Sequence, residues 1–158
     1  MSDSVQSASR VAKLPLLAAL FALFGIGDTA YLTYHHYMAE PVPCSILTGC
    51  EQVLTSQWAT LGGFLPFDAP SVASVPLALL GFAAYLLAFI LAVLSIRGNR
   101  RSWLLFGLQA TMMAAFSGLL FYLQAVRIEA FCQFCLISAA TSLSLFVIAI
   151  VSRFWRVA

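Results

Sequence analysis

No charged side chain occurs between Val75 and Ile96, and that run decides the solvent in which the chain folds. Crossing a hydrocarbon core about 30 Å thick takes roughly 20 apolar residues. Three further runs qualify: about Leu14–Tyr34, interrupted by Asp28; Trp103–Val126, with Gln109 and Gln124 as its strongly polar groups; and about Phe131–Val151, uncharged. The chain is 62% hydrophobic and 9% charged, with a mean hydropathy of +0.96. A soluble domain carries about a quarter charged residues, so this chain cannot cover a core with polar surface. In lipid, backbone N–H and C=O groups must be satisfied internally, and these runs are expected to be helices. The expected fold class is an all-α membrane protein. It is a single domain over residues 1–158, a four-transmembrane-helix bundle of about 14–34, 75–96, 103–126 and 131–151.

Lysine and arginine set the orientation. Arg10 and Lys13 precede the first run, Arg97, Arg100 and Arg101 join the second to the third, and Arg153 and Arg156 follow the fourth. Only Arg127 lies in the other loops, and cytoplasmic loops are the ones enriched in such residues. Both termini are therefore expected in the cytoplasm, with loops 35–74 and 127–130 opposite. Asp28-Thr29-Ala30 weakly imitates a signal-peptide cleavage site, but the apolar run continues past it and the charge alternation needs it, so no cleavage is expected. A net charge of +2 gives no reason to expect nucleic acid as a partner.

The loop 35–74 holds most of what lies outside the membrane; residues 1–9 are Ser-rich and expected to be disordered. Leu54, Trp58 and Leu61 recur at helical spacing, which predicts a short amphipathic helix over 51–59 at the membrane surface or over the bundle mouth. Gly49 permits a turn before Cys50, and Gly62-Gly63, Pro66 and Pro70 break structure beyond.

All four cysteines fall on the side opposite the termini. Cys44 and Cys50 lie in the long loop; Cys132 and Cys135 open the last apolar run as Cys-Gln-Phe-Cys. Residues three apart at a helix start share one face, about 5–6 Å apart at Cβ, which suits a disulfide after modest adjustment. A helix N-terminus lowers a thiol pKa, and Arg127 nearby is expected to help. A low-pKa thiolate is the attacker and the better leaving group in disulfide exchange. Two inert disulfides in an oxidising compartment are an alternative. So is a zinc site, though the gap between Cys44 and Cys50 fits short zinc knuckles poorly.

Several segments together resemble the vitamin K epoxide reductase family, specifically its bacterial members that oxidise protein thiols. They are Cys44-Ser-Ile-Leu-Thr-Gly-Cys50, the following Glu51-Gln52-Val53-Leu54-Thr55-Ser56, Val75-Pro76-Leu77-Ala78-Leu79-Leu80-Gly81, and Phe131-Cys132-Gln133-Phe134-Cys135-Leu136. Ala30-Tyr31-Leu32-Thr33-Tyr34 is similar as well. The resemblance implies a thiol:quinone oxidoreductase supporting disulfide-bond formation. Cys132 and Cys135 would be the active-site pair beside a quinone (ubiquinone or menaquinone), with Cys135 nearest the ring. Cys44 and Cys50 would be shuttle cysteines. A reduced DsbA-like, thioredoxin-fold protein of the periplasm would attack the Cys44–Cys50 disulfide at Cys44. Cys50 would attack Cys132, and Cys135 would pass two electrons on.

By family position Ser56 lies near the active site, and Leu54, Leu80, Leu120 and Phe131 are candidate walls for the ring. The vertebrate enzyme's Asn and Tyr contacts to its naphthoquinone align with Leu77 and Ala139, neither of which can hydrogen-bond through its side chain. The resemblance thus implies an ordinary respiratory quinone rather than an epoxide. Many bacterial relatives carry a fused thioredoxin-like domain; this sequence stops at Ala158, so the donor is expected to be a separate protein. The expected location is the bacterial inner membrane, with the cysteines on the periplasmic face.

Asp28 lies 15 residues beyond Lys13, about 22 Å along a helix. That depth is near the interface, where a carboxylate can reach water or hydrogen-bond a neighbouring helix, and this is favoured over a role as proton acceptor in quinone chemistry. His35 and His36 point in different directions on a helix, which argues against a joint metal site. Tyr37, Trp58, Trp103 and Trp155 are expected in interfacial belts. Gly25, Gly27, Gly107, Ala114, Ala115, Ser117 and Gly118 are expected to mark close helix packing. Two other functions compete. A DsbB-type disulfide oxidase has its Cys-x-x-Cys in the first outer loop, the reverse of the order here. A non-enzymatic scaffold would keep its disulfides locked, and the last three helices offer no charged pore lining to a transporter.

Overall fold

A computed structural model describes residues 2–64 and 73–157; Pro66 and Pro70 fall outside them, as do the side chains of Arg10, Trp155 and Arg156. Four long helices make up the architecture: α1 (Ser2–Met38), α3 (Leu77–Ile96), α4 (Arg100–Leu123) and α5 (Gln133–Val157), with a one-turn helix α2 (Cys50–Leu54) between the first two. Four segments are long and apolar enough to cross a membrane: Lys13–Met38 in α1, Leu77–Ile96 in α3, Arg100–Ile128 in α4 and the turn that follows it, and Gln133–Arg153 in α5. Residues 2–9, expected to be disordered, continue α1 as helix.

Local chemistry sets the helix ends. Gly98 takes a φ of +81°, which an L side chain rarely adopts, and its N–H donates to the Ser95 carbonyl. Asn99 then caps α4, its Oδ1 accepting the Arg101 N–H at 3.1 Å. At the other end α4 loosens into a π-turn, Gln124–Ile128, which Glu129 ends in the left-handed region at φ 54°. The connection to α5 is therefore very short.

Small residues let the helices approach closely. Ala18, Ala22, Ala88 and Ala92, all buried, belong to the central cluster where α1 and α3 pack. Large apolar side chains such as Leu104, Leu108 and Met112 point outward. A soluble bundle places its large side chains inside; this arrangement suits lipid, where helices associate through close packing. The expected seam was partly wrong. A Cβ on Gly27 or Gly118 would meet nothing within 4 Å, and Ala115 and Gly118 face outward. Trp103 is not a belt residue: it is 6% exposed, stacked on Phe106, and its Nε1 donates to Ser152 Oγ at 2.7 Å.

Tyr85 locks three helices together. Its hydroxyl donates to the Ser138 carbonyl at 2.6 Å and lies 2.8 Å from Ser142 Oγ. Its ring fills the space a Cβ on Gly25 would need. Gly25→Ala is expected to lower stability by about 1–3 kcal/mol through overpacking, whereas Gly27→Ala is neutral or stabilising, because alanine is the better helix former. Thermal unfolding in detergent separates the two; equal midpoints would refute the packing account.

The segment after α2 differs from the single amphipathic helix expected over 51–59. Two 3₁₀ turns, Gln57–Ala59 and Leu61–Gly63, follow α2. The Leu61 N–H donates to the Val75 carbonyl, and Trp58 packs edge-on against Phe64, which meets Phe116 of α4. The segment thus closes over the bundle mouth.

Candidate redox site

The structure brings all four cysteines to one end of the bundle. Cys44 and Cys50 are bridged, with Cα atoms 6.3 Å apart, inside the usual range for a disulfide. Cys132 and Cys135 are free thiols. Cys50 and Cys132, 1% and 0% exposed, share a buried cluster with Val53 and Ala130, and Cys44 and Cys135 pack against it.

Two contacts hold the two pairs together, a third anchors Cys132 to the end of α4, and none was anticipated. Gly49 sits so close to the start of α5 that a Cβ would come within 2.9 Å of the Phe131 N and O atoms. The expected turn is there, at Thr48 and Gly49, but a φ of −88° is open to any residue, so close approach is what requires glycine. Gln133 Oε1 accepts the Ile46 N–H at 3.0 Å, tying the disulfide loop to the Cys-x-x-Cys motif. Gln124 is 4% exposed, and its Oε1 accepts the Cys132 N–H at 3.0 Å. The signal for Gln124 was present in the sequence: a glutamine in an apolar span must find a partner when buried. Its position eight residues before Cys132 did not say which partner.

The Cys132 thiol, just before the α5 span, is held below the ordinary thiol range. A hydrogen bond from Cys135 is the largest cause, and the backbone amides of Cys135 and Phe134 add to it, against the effect of burial. The two backbone amides are the helix N-terminus contributing as expected, behind the Cys135 thiol. Arg127, expected to assist, is exposed and is not among the groups that move Cys132.

A predominantly apolar cavity of about 400 Å³ opens beneath α2, lined by α1, α3, α4 and α5. Of the four cysteines, Cys135 lines it. Leu54, Ser56, Leu77, Leu80, Leu120 and Ala139 line it too, whereas Phe131 does not; its ring lies against Phe121, 5.8 Å between centroids. Ser56 spends its hydroxyl on the Val53 carbonyl at 2.7 Å. Trp58 and His36 also line the cavity, so Trp58 is a wall rather than a belt residue. His35 sits apart, its Nδ1 3.9 Å from Glu40. An aromatic ring with an apolar tail fits these walls.

From Cys44 to Cys50, Cys132 and Cys135, the sulfurs run from a partly exposed loop, through a dry cluster, to a cavity wall. An electron pair handed from thiol to disulfide along that order would travel from the surface to a small apolar chamber. An Arabidopsis thaliana protein, thiol-disulfide oxidoreductase LTO1, is 32% identical over 132 residues, covering 78% of this chain and 32% of the relative. The chain thus spans about a third of that relative's length. The profile of the vitamin K epoxide reductase family matches residues 16–150, a stretch that contains all four cysteines and every candidate cavity wall, and the chain belongs to that family.

Proposed function

We propose that this chain is a membrane thiol:quinone oxidoreductase that oxidises a thioredoxin-fold protein of the periplasm. The observation that carries the reading is the order of the sulfurs, from a partly exposed loop through the buried Cys50 and Cys132 to Cys135 on the cavity wall. A reduced partner attacks Cys44, the partly exposed member of the loop bridge, and Cys50 leaves as a thiol; when the partner's second thiol closes its own disulfide, Cys44 is released as a thiol too. Cys50, already packed with Cys132, attacks a Cys132–Cys135 bridge. Closing the Cys44–Cys50 bond then frees both thiols of the second pair.

A bound quinone supplies the acceptance of two electrons and two protons. The chain's part is to place Cys135 at the edge of the chamber, exclude water with apolar walls, and keep Cys132 behind it, ready to close the bridge. Both termini lie in the cytoplasm under the charge rule, which puts the cysteines in the compartment where disulfides persist. The acceptor is ubiquinone or menaquinone. The test is quinone reduction by purified protein, driven by a reduced thioredoxin-fold protein. Wild type that reduces no quinone while its cysteines stay bridged would make this a structural membrane protein.

Leu77 and Ala139 on the cavity wall bear on inhibitors. Neither side chain offers a hydrogen bond to a coumarin oxygen, and leaving such a group unpaired in an apolar chamber costs about 1–3 kcal/mol. Weak inhibition by coumarin-type compounds is expected in the quinone-reduction assay. Nanomolar inhibition would overturn this account of the pocket.

A further inference from the structure

Asp28 is the carboxylate within the membrane spans, and its place in the structure is not the one that depth alone suggests. Its Oδ2 is buried and has no hydrogen-bond partner among the described residues. It lies one turn before Tyr31, whose ring meets Phe134 of the Cys-Gln-Phe-Cys motif at 5.3 Å, and one turn before Leu32, which lines the cavity. Its charge reaches Cys132, Cys135 and Tyr85. An unpartnered acceptor inside a membrane span is costly, and such groups mark function by default. The groups its charge acts on are the Tyr85 hydroxyl from α3 and the two thiols at the head of α5. Tyr85 already donates to the Ser138 carbonyl. The thiols are the neighbours that must release protons when they are oxidised.

We propose that Asp28 is the proton acceptor for the Cys132/Cys135 dithiol. This rests on the functional reading above. Two S–H bonds break as the S–S bond forms; the electron pair goes to the quinone, which takes up two protons, and Asp28 holds one of the two on the way. When Cys50 reduces the bridge, Asp28 returns a proton to the sulfur that leaves.

The test uses the full-length protein in detergent, with Asp28→Asn and Asp28→Glu. Quinone reduction is read with a small-thiol donor. The thiolate absorbance of the pair is titrated with pH in a background carrying Cys44→Ser and Cys50→Ser. The two readouts should move oppositely. Removing the charge that opposes ionisation of Cys132 shifts the Asp28→Asn titration to lower pH. Losing the acceptor slows its quinone reduction roughly 100-fold, the scale of general acid–base catalysis. Asp28→Glu restores both toward wild type. A merely structural carboxylate would move neither in this pattern, and Asp28→Asn turnover within about twofold of wild type, well short of that scale, overturns the proposal. If Asp28→Asn does not fold, Asp28→Glu decides: turnover retained with its pH profile displaced supports the proposal, and an unmoved profile overturns it. If wild type itself reduces no quinone, the functional reading falls, and the titration still judges Asp28: a shift supports its coupling to the thiols, an unmoved curve ends it.

Discussion

Cys132→Ala and Cys135→Ala are expected to abolish quinone reduction with every donor, while Cys44→Ala and Cys50→Ala abolish it with a protein donor and spare it with small thiols. The asymmetry follows from where the sulfurs sit. Cys135 lies on the chamber wall and Cys132 is wholly buried behind it. Without either, no dithiol remains beside the acceptor. The loop pair serves only delivery, and a small thiol entering the chamber can replace it. The two loop variants should also differ from each other. Cys44 is partly exposed and Cys50 is buried, so the partner's thiolate reaches Cys44 first. Cys50→Ala removes the bridge and leaves Cys44 as a thiol that thionitrobenzoate can activate as a mixed disulfide; a partner keeping only its attacking cysteine then displaces the thionitrobenzoate and stays bound to Cys44, visible as a linked species on a non-reducing gel. Cys44→Ala should give little such product. The reverse trapping pattern would reverse the order of the loop cysteines. Loss of small-thiol turnover in the loop variants would break the division of labour altogether.

The membrane class and the positions of four helices were legible because lipid imposes the strictest of rules: long uncharged runs must be helical and must span. The cysteine pairs were legible because thiol chemistry depends on spacing along the chain. What the sequence concealed was contact between distant segments. Gly49 reads as a turn residue, and only the folded chain reveals the Phe131 backbone against it. Gln124 and Gln133 read as tolerated polar residues; their partners, Cys132 and Ile46, are fixed by how the loop lands on α5. The packing seam was only partly legible for the same reason. Gly25 does lie under Tyr85 of α3, yet much of the contact between α1 and α3 runs through alanines, which are also ordinary helix formers and carry no distinctive signal. Trp103 shows the limit of position rules: near a helix end it reads as a belt residue, but Ser152 offered its N–H a partner inside the bundle.

Gly49→Ala is expected to cut protein-driven turnover about 100-fold, while quinone reduction with small thiols stays near wild type. Misplacing reacting groups by about 1 Å can cost a factor of that size. The added Cβ would meet backbone atoms of Phe131 at 2.9 Å and the Ala130 Cβ at 3.0 Å. Backbone cannot rotate aside as a flexible side chain can, so the start of α2 has to lift away from α5. Cys50 leads α2 and Cys132 sits beside Phe131, which makes the distance between the two pairs the quantity that changes. The Cys44–Cys50 bridge itself lies within the loop and can still form and still be reduced by the partner. Cys132 and Cys135 keep their helix start, because Gln124 holds it from the other side. The lesion is therefore confined to exchange between the pairs. Three measurements locate it: partner oxidation in a single turnover stays fast, transfer to the second pair slows, and small-thiol turnover is retained. Equal loss with both donors would show instead that the substitution disturbs the chamber, and that Gly49 serves the fold rather than the hand-over between the cysteine pairs.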